Sequence, residues 1–397
     1  MASNSNSPEE TLNALVLKLQ DLAVRICNID DDESRKECLQ ISRRLTTQLE
    51  KPENTAVELA YSSARSVCAR IAVDLNLFEY IIEHGPITSA ELAQLSCAEE
   101  LLIVRILRVL SAIFFVEEVD LRTWKANAIT KAMSKKGIAA GHIMLSQFPM
   151  PAIQAAPAYV SQIGYKCPTD HRDGIAQFAF KTEKSGFEYM YSIPSLKNAF
   201  NTFMGHTMGA RQYWVDWYPV ENRLLNGATT DKPLFVDVGA GRGHDILAFK
   251  AKYPHEGRLV WEDLPGLSKV IAGLDTDIEI VEYDFFTEQP IKGARAYFYH
   301  HIMHDWSDEN CTKILEKVVS AMTPGYSKLL IHDMIVPDKG ASRFAAELDI
   351  TMMAFNAGLE RTREQWRALL NKVGLHGVEF WDAVDEDGDG IIEAVKL

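Results

Sequence analysis

Six cysteines are few for 397 residues, and their placement excludes two scaffold classes at once. Cys27, Cys38, Cys68, Cys97, Cys167 and Cys311 include no C-x-x-C pair, and none has a histidine at a zinc-site spacing. They are the reduced thiols expected of an intracellular chain rather than a disulfide framework. Positive charge is also short: 41 Lys and Arg stand against 55 Asp and Glu, a net charge of −14. That balance argues against nucleic acid and against anionic membrane surfaces, whose phosphates need basic side chains. No apolar run approaches the roughly 18 residues of a membrane span. The opening Met1-Ala-Ser-Asn-Ser-Asn-Ser-Pro8 is polar and lacks the apolar stretch of a secretory signal, so a cytoplasmic protein is expected. No internal repeat or low-complexity tract appears. What remains, 47% apolar and 24% charged, is ordinary for a globular enzyme, and the length allows two or three structural units.

The most informative stretch that is present is Phe235-Val-Asp-Val-Gly-Ala-Gly-Arg-Gly-His-Asp245. An apolar strand ends in an acid, three glycines alternate, and a helix begins. Gly239, Gly241 and Gly243 allow a tight turn and close approach of a ligand to the main chain. Asp237 sits at the strand end, where open α/β sheets bind ligands. No Lys-Ser/Thr follows, so this is not a phosphate-cradling loop, and G-x-G-x-G departs from the dinucleotide pattern G-x-G-x-x-G.

Four regions are expected. Residues 1–54 form a helical arm, with helices over Thr11 to Cys27 and about Ser34 to Glu50. Residues 55–130 carry a helix rich in Ala and Ile and two capping boxes, Thr88-Ser-Ala-Glu91 and Ser96-Cys-Ala-Glu99. A strand over Phe114 to Val119 and its return near Arg122 and Trp124 complete a winged-helix pattern. With this acidic balance it is expected to dimerise rather than to bind DNA. Residues 131–226 are helical and aromatic-rich, a candidate substrate cap. From 227 to 397, strands alternate with helices: Leu234–Val238, Arg258–Glu262, Ile278–Glu282, Ala296–His300, Lys328–Met334, Val378–Ala383 and Ile391–Lys396. The expected fold is therefore α/β, a Rossmann-like, doubly wound, mostly parallel sheet with a C-terminal antiparallel hairpin closed by a tight acidic turn.

The chemistry is concentrated late in the chain. The second strand ends in Trp261-Glu-Asp-Leu-Pro265, with an acid placed to hold two ribose hydroxyls. The third ends in Glu282-Tyr-Asp-Phe-Phe286, an acid and an aromatic suited to an adenine. In this order, after G-x-G-x-G, they describe a nucleoside site without pyrophosphate. Then follow His300-His-Ile-Met-His-Asp-Trp-Ser-Asp-Glu-Asn-Cys311, Leu330-Ile-His-Asp-Met-Ile-Val-Pro337, and Gly358-Leu-Glu-Arg-Thr362.

With these motifs the chain, from about residue 60 onward, resembles the plant and fungal S-adenosylmethionine (SAM)-dependent O-methyltransferases of the caffeate and flavonoid type. It is most like fungal members that decorate secondary metabolites. The resemblance implies that Gly239 and Gly241 approach the methionine portion of SAM, that Asp263 holds the ribose, and that Asp284 and Phe285 read the adenine. Asp237, Leu264 and His300 join that cofactor set. His304 would be the general base on the acceptor hydroxyl, flanked by Glu360 and by Asp333, which stands where the family usually has a glutamate. Asp305, Asn356 and Met353 would touch the substrate, and His142 could join them from the helical cap. A homodimer and a small-molecule acceptor follow, with no metal required.

The residue types suit the reaction. Methyl transfer from a sulfonium is an in-line displacement, so positioning is a large part of catalysis. The acceptor oxygen loses a proton as it attacks, and histidine, with a reference pKa of about 6.5, suits that transfer near neutrality. Two departures stand out: His300 replaces the Lys or Arg usual four residues before the base, and Asp333 is one methylene short. The same fungal branch contains leporin-type pericyclases, which keep SAM but transfer no methyl group. The intact His304-Asp-Trp306 and Glu360 favour methyl transfer. His301 and His332 are expected to be structural. Asp385-Glu-Asp-Gly-Asp-Gly390 imitates the start of a calcium loop, but Lys396 occupies the position that should be Glu, so a solvated hairpin turn is expected instead.

Overall fold

The computed structural model describes residues 11–28, 32–209, 212–266, 275–384 and 387–397. It divides into two compact units, Met1–Ala69 and Arg70–Leu397. The division falls inside the helix Ser63–Asp74 rather than at the composition breaks near residues 54, 130 and 226. In the first unit, helices Leu12–Asn28 and Asp32–Leu49 pack through Leu15, Leu22 and Ile41, with Leu19, Cys38 and Leu45 alongside. Leu17 and Val24, which share the sequence periodicity, are 65% and 62% exposed. A spacing of seven keeps one stripe inward, whereas the intervening leucines fall on the outer face.

The second unit opens with helices Leu77–His84, Ser89–Ser96 and Glu100–Ala112 and a small sheet of Ile87–Thr88, Thr123–Lys125 and Glu117–Asp120, with Thr123–Lys125 in the middle. The first expected capping box forms: Thr88 accepts from the Glu91 backbone while the Glu91 side chain accepts from Thr88 N–H. The second does not. Ser96 ends its helix, with Oγ donating to Leu92 O, and Cys97 takes a left-handed conformation (φ 54°) before Glu99 starts the next helix. The expected strand at Phe114 also begins later, because Phe114 has φ 62° and sits in the turn. Six helices between Ala128 and Gly209 follow.

The main sheet has seven strands: β1 (Pro233–Val238), β2 (Arg258–Asp263), β3 (Ile278–Glu282), β4 (Ala296–His300), β5 (Lys328–Asp333), β6 (Leu375–Trp381) and β7 (Gly390–Lys396). Their spatial order is β6-β7-β5-β4-β1-β2-β3. The first five are parallel to their neighbours, and β7 runs antiparallel between β5 and β6. β1 is buried along its whole length, as its unbroken Pro-Leu-Phe-Val-Asp-Val run requires of a strand covered on both faces. One face is filled by Tyr297, Leu315 and Trp366, the other by Trp214, Phe235 and Phe249. The chain winds from β1 to β2 and β3 on one side and to β4 and β5 on the other. The crevice at the carboxyl ends of β1 and β4 is thus the switch point where such sheets bind ligands. No helix among the described residues is long and apolar enough to cross a membrane.

The hairpin of β6 and β7 forms, but its connection is not the expected tight, solvated turn. Trp381 pairs with Ile391, so nine residues intervene, and Asp389 near the end of that stretch is 7% exposed. The first two residues of the calcium-like stretch, Asp385 and Glu386, lie outside the described residues.

Candidate active site

The glycine turn follows β1 directly. Gly239 and Gly241 have φ of 72° and 53°, a region that L side chains rarely adopt. A side chain at Gly241 would meet nothing within 4 Å, so the main chain there faces open space. Asp263, at the end of β2, ties that turn down: Oδ2 accepts from Gly241 N at 2.7 Å and Oδ1 from Leu264 N at 2.7 Å. Burial raises the Asp263 pKa, and these two backbone donors oppose the rise. Leu264 itself is half exposed. Asp284, after β3, is exposed and accepts from Phe286 N at 3.0 Å, which sets the direction of the Phe285-Phe286 pair. Asp237 is 2% exposed, and one carboxylate oxygen has no partner. Burial and the neighbouring Asp245 charge push its pKa well above the usual carboxylate value.

The short 3₁₀ turn Met303–Asp305 presents His304 just beyond β4. The imidazole Nδ1 lies 2.7 Å from Glu360 Oε1, and both residues are buried. Nε2 stands 3.8 Å from Asp305 Oδ1. Burial disfavours the imidazolium, yet the Glu360 and Asp305 carboxylates outweigh it and hold the His304 pKa well above its ordinary value. Burial pushes the Asp305 carboxyl up to about 7, with the His304 charge opposing. Asp333, expected as a second flanking carboxylate, lies near enough for its charge to act on the ring but makes no described hydrogen bond to a ring nitrogen. Its Oδ2 accepts the backbone N–H of His304 at 3.1 Å, and its Oδ1 has no partner. The shorter side chain at the end of β5 anchors the peptide of the turn, leaving Glu360 as the carboxylate hydrogen-bonded to the imidazole.

Glu360 is itself set by its backbone. Asp349 Oδ1 accepts Glu360 N–H at 2.9 Å, and Arg361–Thr362 pairs in parallel with Ile335–Val336 beyond β5. Gly358 lies so close to the His304 turn that a Cβ would stand 2.3 Å from His304 O. Arg361 is fully buried and grips both sides of the turn, donating to Met303 O at 3.0 Å and Trp306 O at 2.8 Å. It also donates to Leu359 O and Asp308.

Matches to known proteins bear on this geometry. Residues 183–376 match the model of the O-methyltransferase domain. The chain is 53% identical over 384 residues to the O-methyltransferase penC of Penicillium thymicola, covering 96% of each chain. The chain belongs to the O-methyltransferase family. Among solved structures, LepI in complex with SAM superimposes with a TM-score of 0.85 at 28% identity, over 98% of this chain and all of that one. A structure solved as a pericyclic reaction enzyme matches with a TM-score of 0.84 at 27% identity, over 98% of this chain and 100% of that one.

Several residues around His304 are given no role by the sequence, Trp306 being named there only within its motif. Trp306 is the hub: its ring meets Phe286 at 4.9 Å, Phe285 at 6.0 Å, Phe187 at 6.4 Å and His171 at 5.0 Å. It therefore joins the acid–aromatic pair after β3 to the helical region. Tyr191, on the helix Gly186–Tyr191, has a pKa pushed up to about 12 by loss of water around its hydroxyl and then by the charges of Asp263 and Asp305. It is close to both carboxylates, though they lie on different strands' ends. Arg361 was visible only as part of the Glu-Arg-Thr motif, and nothing in a linear pattern shows a buried guanidinium.

Other expected residues lie differently. Asn356 is 1% exposed, and its amide joins two backbone segments, donating to Asp305 O at 3.1 Å and accepting from Gly186 N at 3.2 Å. Met353 packs on the cluster of Ala152, Tyr159 and Ile175 inside the helical region. His142 is half-buried in the helix Lys136–Gln147, and burial followed by the Arg70 charge lowers its pKa. No contact described for it reaches His304. His300 places Nδ1 2.8 Å from Asp245 Oδ2 rather than toward the glycine turn. Burial opposes its charge, but Asp245 and Asp389 prevail and raise its pKa to about 10. His301 stacks on His304, centroids 5.0 Å apart at 18°.

Proposed function

We propose that this chain methylates a hydroxyl of an aromatic or polyketide-derived secondary metabolite, using SAM and His304 as the general base. The observation that carries the reading is the buried His304–Glu360 pair at 2.7 Å. It stands at the switch point of the sheet, against an aromatic wall centred on Trp306. The residues fit SAM: acids close β2 and β3, Phe285 adjoins the second acid, and the main chain at Gly241 faces open space. Asp263 would hold the ribose, Asp284 and Phe285 the adenine, and the glycine turn the methionine portion. SAM, when bound, supplies a methyl group on a positively charged sulfur. The chain's own work is to orient the acceptor, exclude water and take its proton. His304 Nε2 receives that proton, Glu360 fixes the ring through Nδ1, and Asp305 sets the charge beside Nε2. Phe187, Tyr191 and Trp306 offer flat apolar faces to an aromatic acceptor.

The test is an acceptor panel with S-adenosylhomocysteine measured alongside product. One S-adenosylhomocysteine should appear per product, and His304→Ala should lower the rate by roughly 10²–10⁴-fold. Product formed without S-adenosylhomocysteine sinks the reading.

A second reading is kept because the Glu360 and Asp305 carboxylates raise the His304 pKa above its ordinary value, a direction that favours an acid. The chain would then be a SAM-bound pericyclase, promoting dehydration and Diels–Alder or Alder-ene chemistry on a polyketide–pyridone, with His304 and Asp305 donating protons or hydrogen bonds. Its product has the mass of the unmethylated, isomerised or dehydrated substrate. We also infer that residues 55–130, whose helices Leu77–His84, Ser89–Ser96 and Glu100–Ala112 accompany a three-stranded sheet, act as a winged-helix-like dimerisation module. Light scattering should give twice the chain mass, and a monomer would contradict it.

A further inference from the structure

Five titratable side chains meet at the ends of β4 and β5, outside the groups that the reaction uses. His300 closes β4 and pairs in register with His332 on β5. Asp245 lies in the first turn of the helix His244–Lys252, and Asp389 immediately precedes β7. The His300 and His332 rings are 3.9 Å apart at 32°. One ligand atom each from Asp245, His300 and His332 lie within 4.8 Å of one another, and the same holds for His300, His301 and Asp389. His301 Nε2 is 2.9 Å from Asp389 Oδ2, and His300 Nε2 is 3.8 Å from the same oxygen.

Two features of this cluster point to a ligand. Buried ring nitrogens normally find partners, yet His300 Nε2, His301 Nδ1 and His332 Nδ1 have none. His332 is 6% exposed, and with Asp245, His300 and Asp389 it lines a cavity of about 30 Å³. A space of that size admits a single small particle.

We propose that Asp245, His300 and His332 bind a divalent transition-metal ion of the zinc type, with Asp389 as an adjoining acid. Imidazole nitrogens with one carboxylate are the donors such ions take, whereas magnesium and calcium prefer oxygen alone. Neighbouring ligands on a tetrahedral zinc lie roughly 3.3 Å apart, so His300 Nδ1 and Asp245 Oδ2, now 2.8 Å apart, part slightly as the ion enters, and the His332 nitrogen, already within 4.8 Å, closes to the same spacing. The ion takes the place of the proton between His300 Nδ1 and Asp245, and that proton leaves to solvent. It ties β4, β5 and the helix after the glycine turn to one another. No step of methyl transfer passes through it.

The experiment uses the full chain without a histidine tag, dialysed against chelator and then titrated with Zn²⁺ by calorimetry and with Co²⁺ by visible absorption. One ion per chain is expected. His332→Ala and Asp245→Asn should each weaken binding at least tenfold, and Zn²⁺ should raise the melting temperature of the parent but not of either variant. His376→Ala, at an exposed position on β6, should bind as the parent does. Asp245→Asn keeps the side-chain shape, and circular dichroism reports folding for each variant. Absence of a one-to-one site, or undiminished affinity in folded Asp245→Asn or His332→Ala, overturns the proposal. These readouts need no acceptor, so this result and that of the methyl-transfer assay can fail separately.

Discussion

Replacing Glu360 with Gln removes one charge from the partner of His304 and changes almost nothing in shape. The Nδ1–Oε1 contact of 2.7 Å is short and buried, so the carboxylate acts on the imidazole with little water between them. A hydrogen bond to a charged group contributes roughly 1.5–3 kcal/mol, against about half that for a neutral one. At about 1.4 kcal/mol per pKa unit, losing the charge while keeping the hydrogen bond should lower the His304 pKa by about half a unit to one unit. The sign matters for stability as well. The folded pKa of His304 stands above its unfolded value of about 6.5. The stabilisation it contributes is therefore complete below that value and is lost as pH rises through the folded pKa. Glu360→Gln should accordingly be most destabilising at acidic to neutral pH, and the gap to the parent should close on the alkaline side. Nitrogen-15 NMR of labelled histidine measures the ring's titration directly and needs no acceptor. Once an acceptor is known, the acid limb of kcat/KM should move down with the pKa. An unchanged His304 titration in folded Glu360→Gln would refute the view that Glu360 sets the charge of the base.

Three further outcomes test the surrounding structure. Arg361→Ala removes the guanidinium donors to Met303 O, Trp306 O and Leu359 O and the ion pair with Asp308, and should cost about 3 kcal/mol, measured by denaturant unfolding, with activity falling further than stability. Gly358→Ala would force a Cβ to 2.3 Å from His304 O, so it should displace the turn and abolish activity, whereas Gly205→Ala, whose Cβ meets only the Arg242 guanidinium at 3.7 Å, should raise stability by about 0.5–1 kcal/mol. Tyr191→Phe removes a hydroxyl near Asp263 and Asp305 while keeping the ring, so calorimetry should show weaker SAM or acceptor binding with a stability change under about 1 kcal/mol. Unaltered binding would remove Tyr191 from the site.

Much of the architecture was legible in order. Alternating strands and helices after residue 232, the glycine turn, and the acids closing β2 and β3 are local patterns, and the strands form in the expected order, although β6 runs over Leu375–Trp381 rather than the expected Val378–Ala383. The Thr88 capping box was equally local and forms. Ser96 failed as a cap because a helix already ran through it, and Phe114 failed as a strand residue because the chain reverses there. A four-residue window does not contain either fact.

The site divides in the same way. That an imidazole, an acid and a tryptophan stand together as His304-Asp-Trp306 is a matter of sequence alone, as is the Glu-Arg-Thr that follows. Which carboxylate holds the imidazole was decided by folding: Glu360 reaches Nδ1 across 56 positions of chain, while Asp333, one methylene short on β5, takes the peptide N–H. The same holds for Asn356, turned from an expected substrate contact into a clamp between backbones, and for Asp389, drawn from an expected solvated turn onto His301. Linear order determines the chemical identity of each group and the element that carries it. Distance, burial and the choice of partner arise only when strands distant in sequence bring their ends to one crevice, because electrostatic and hydrogen-bond energies depend on those separations and not on position along the chain.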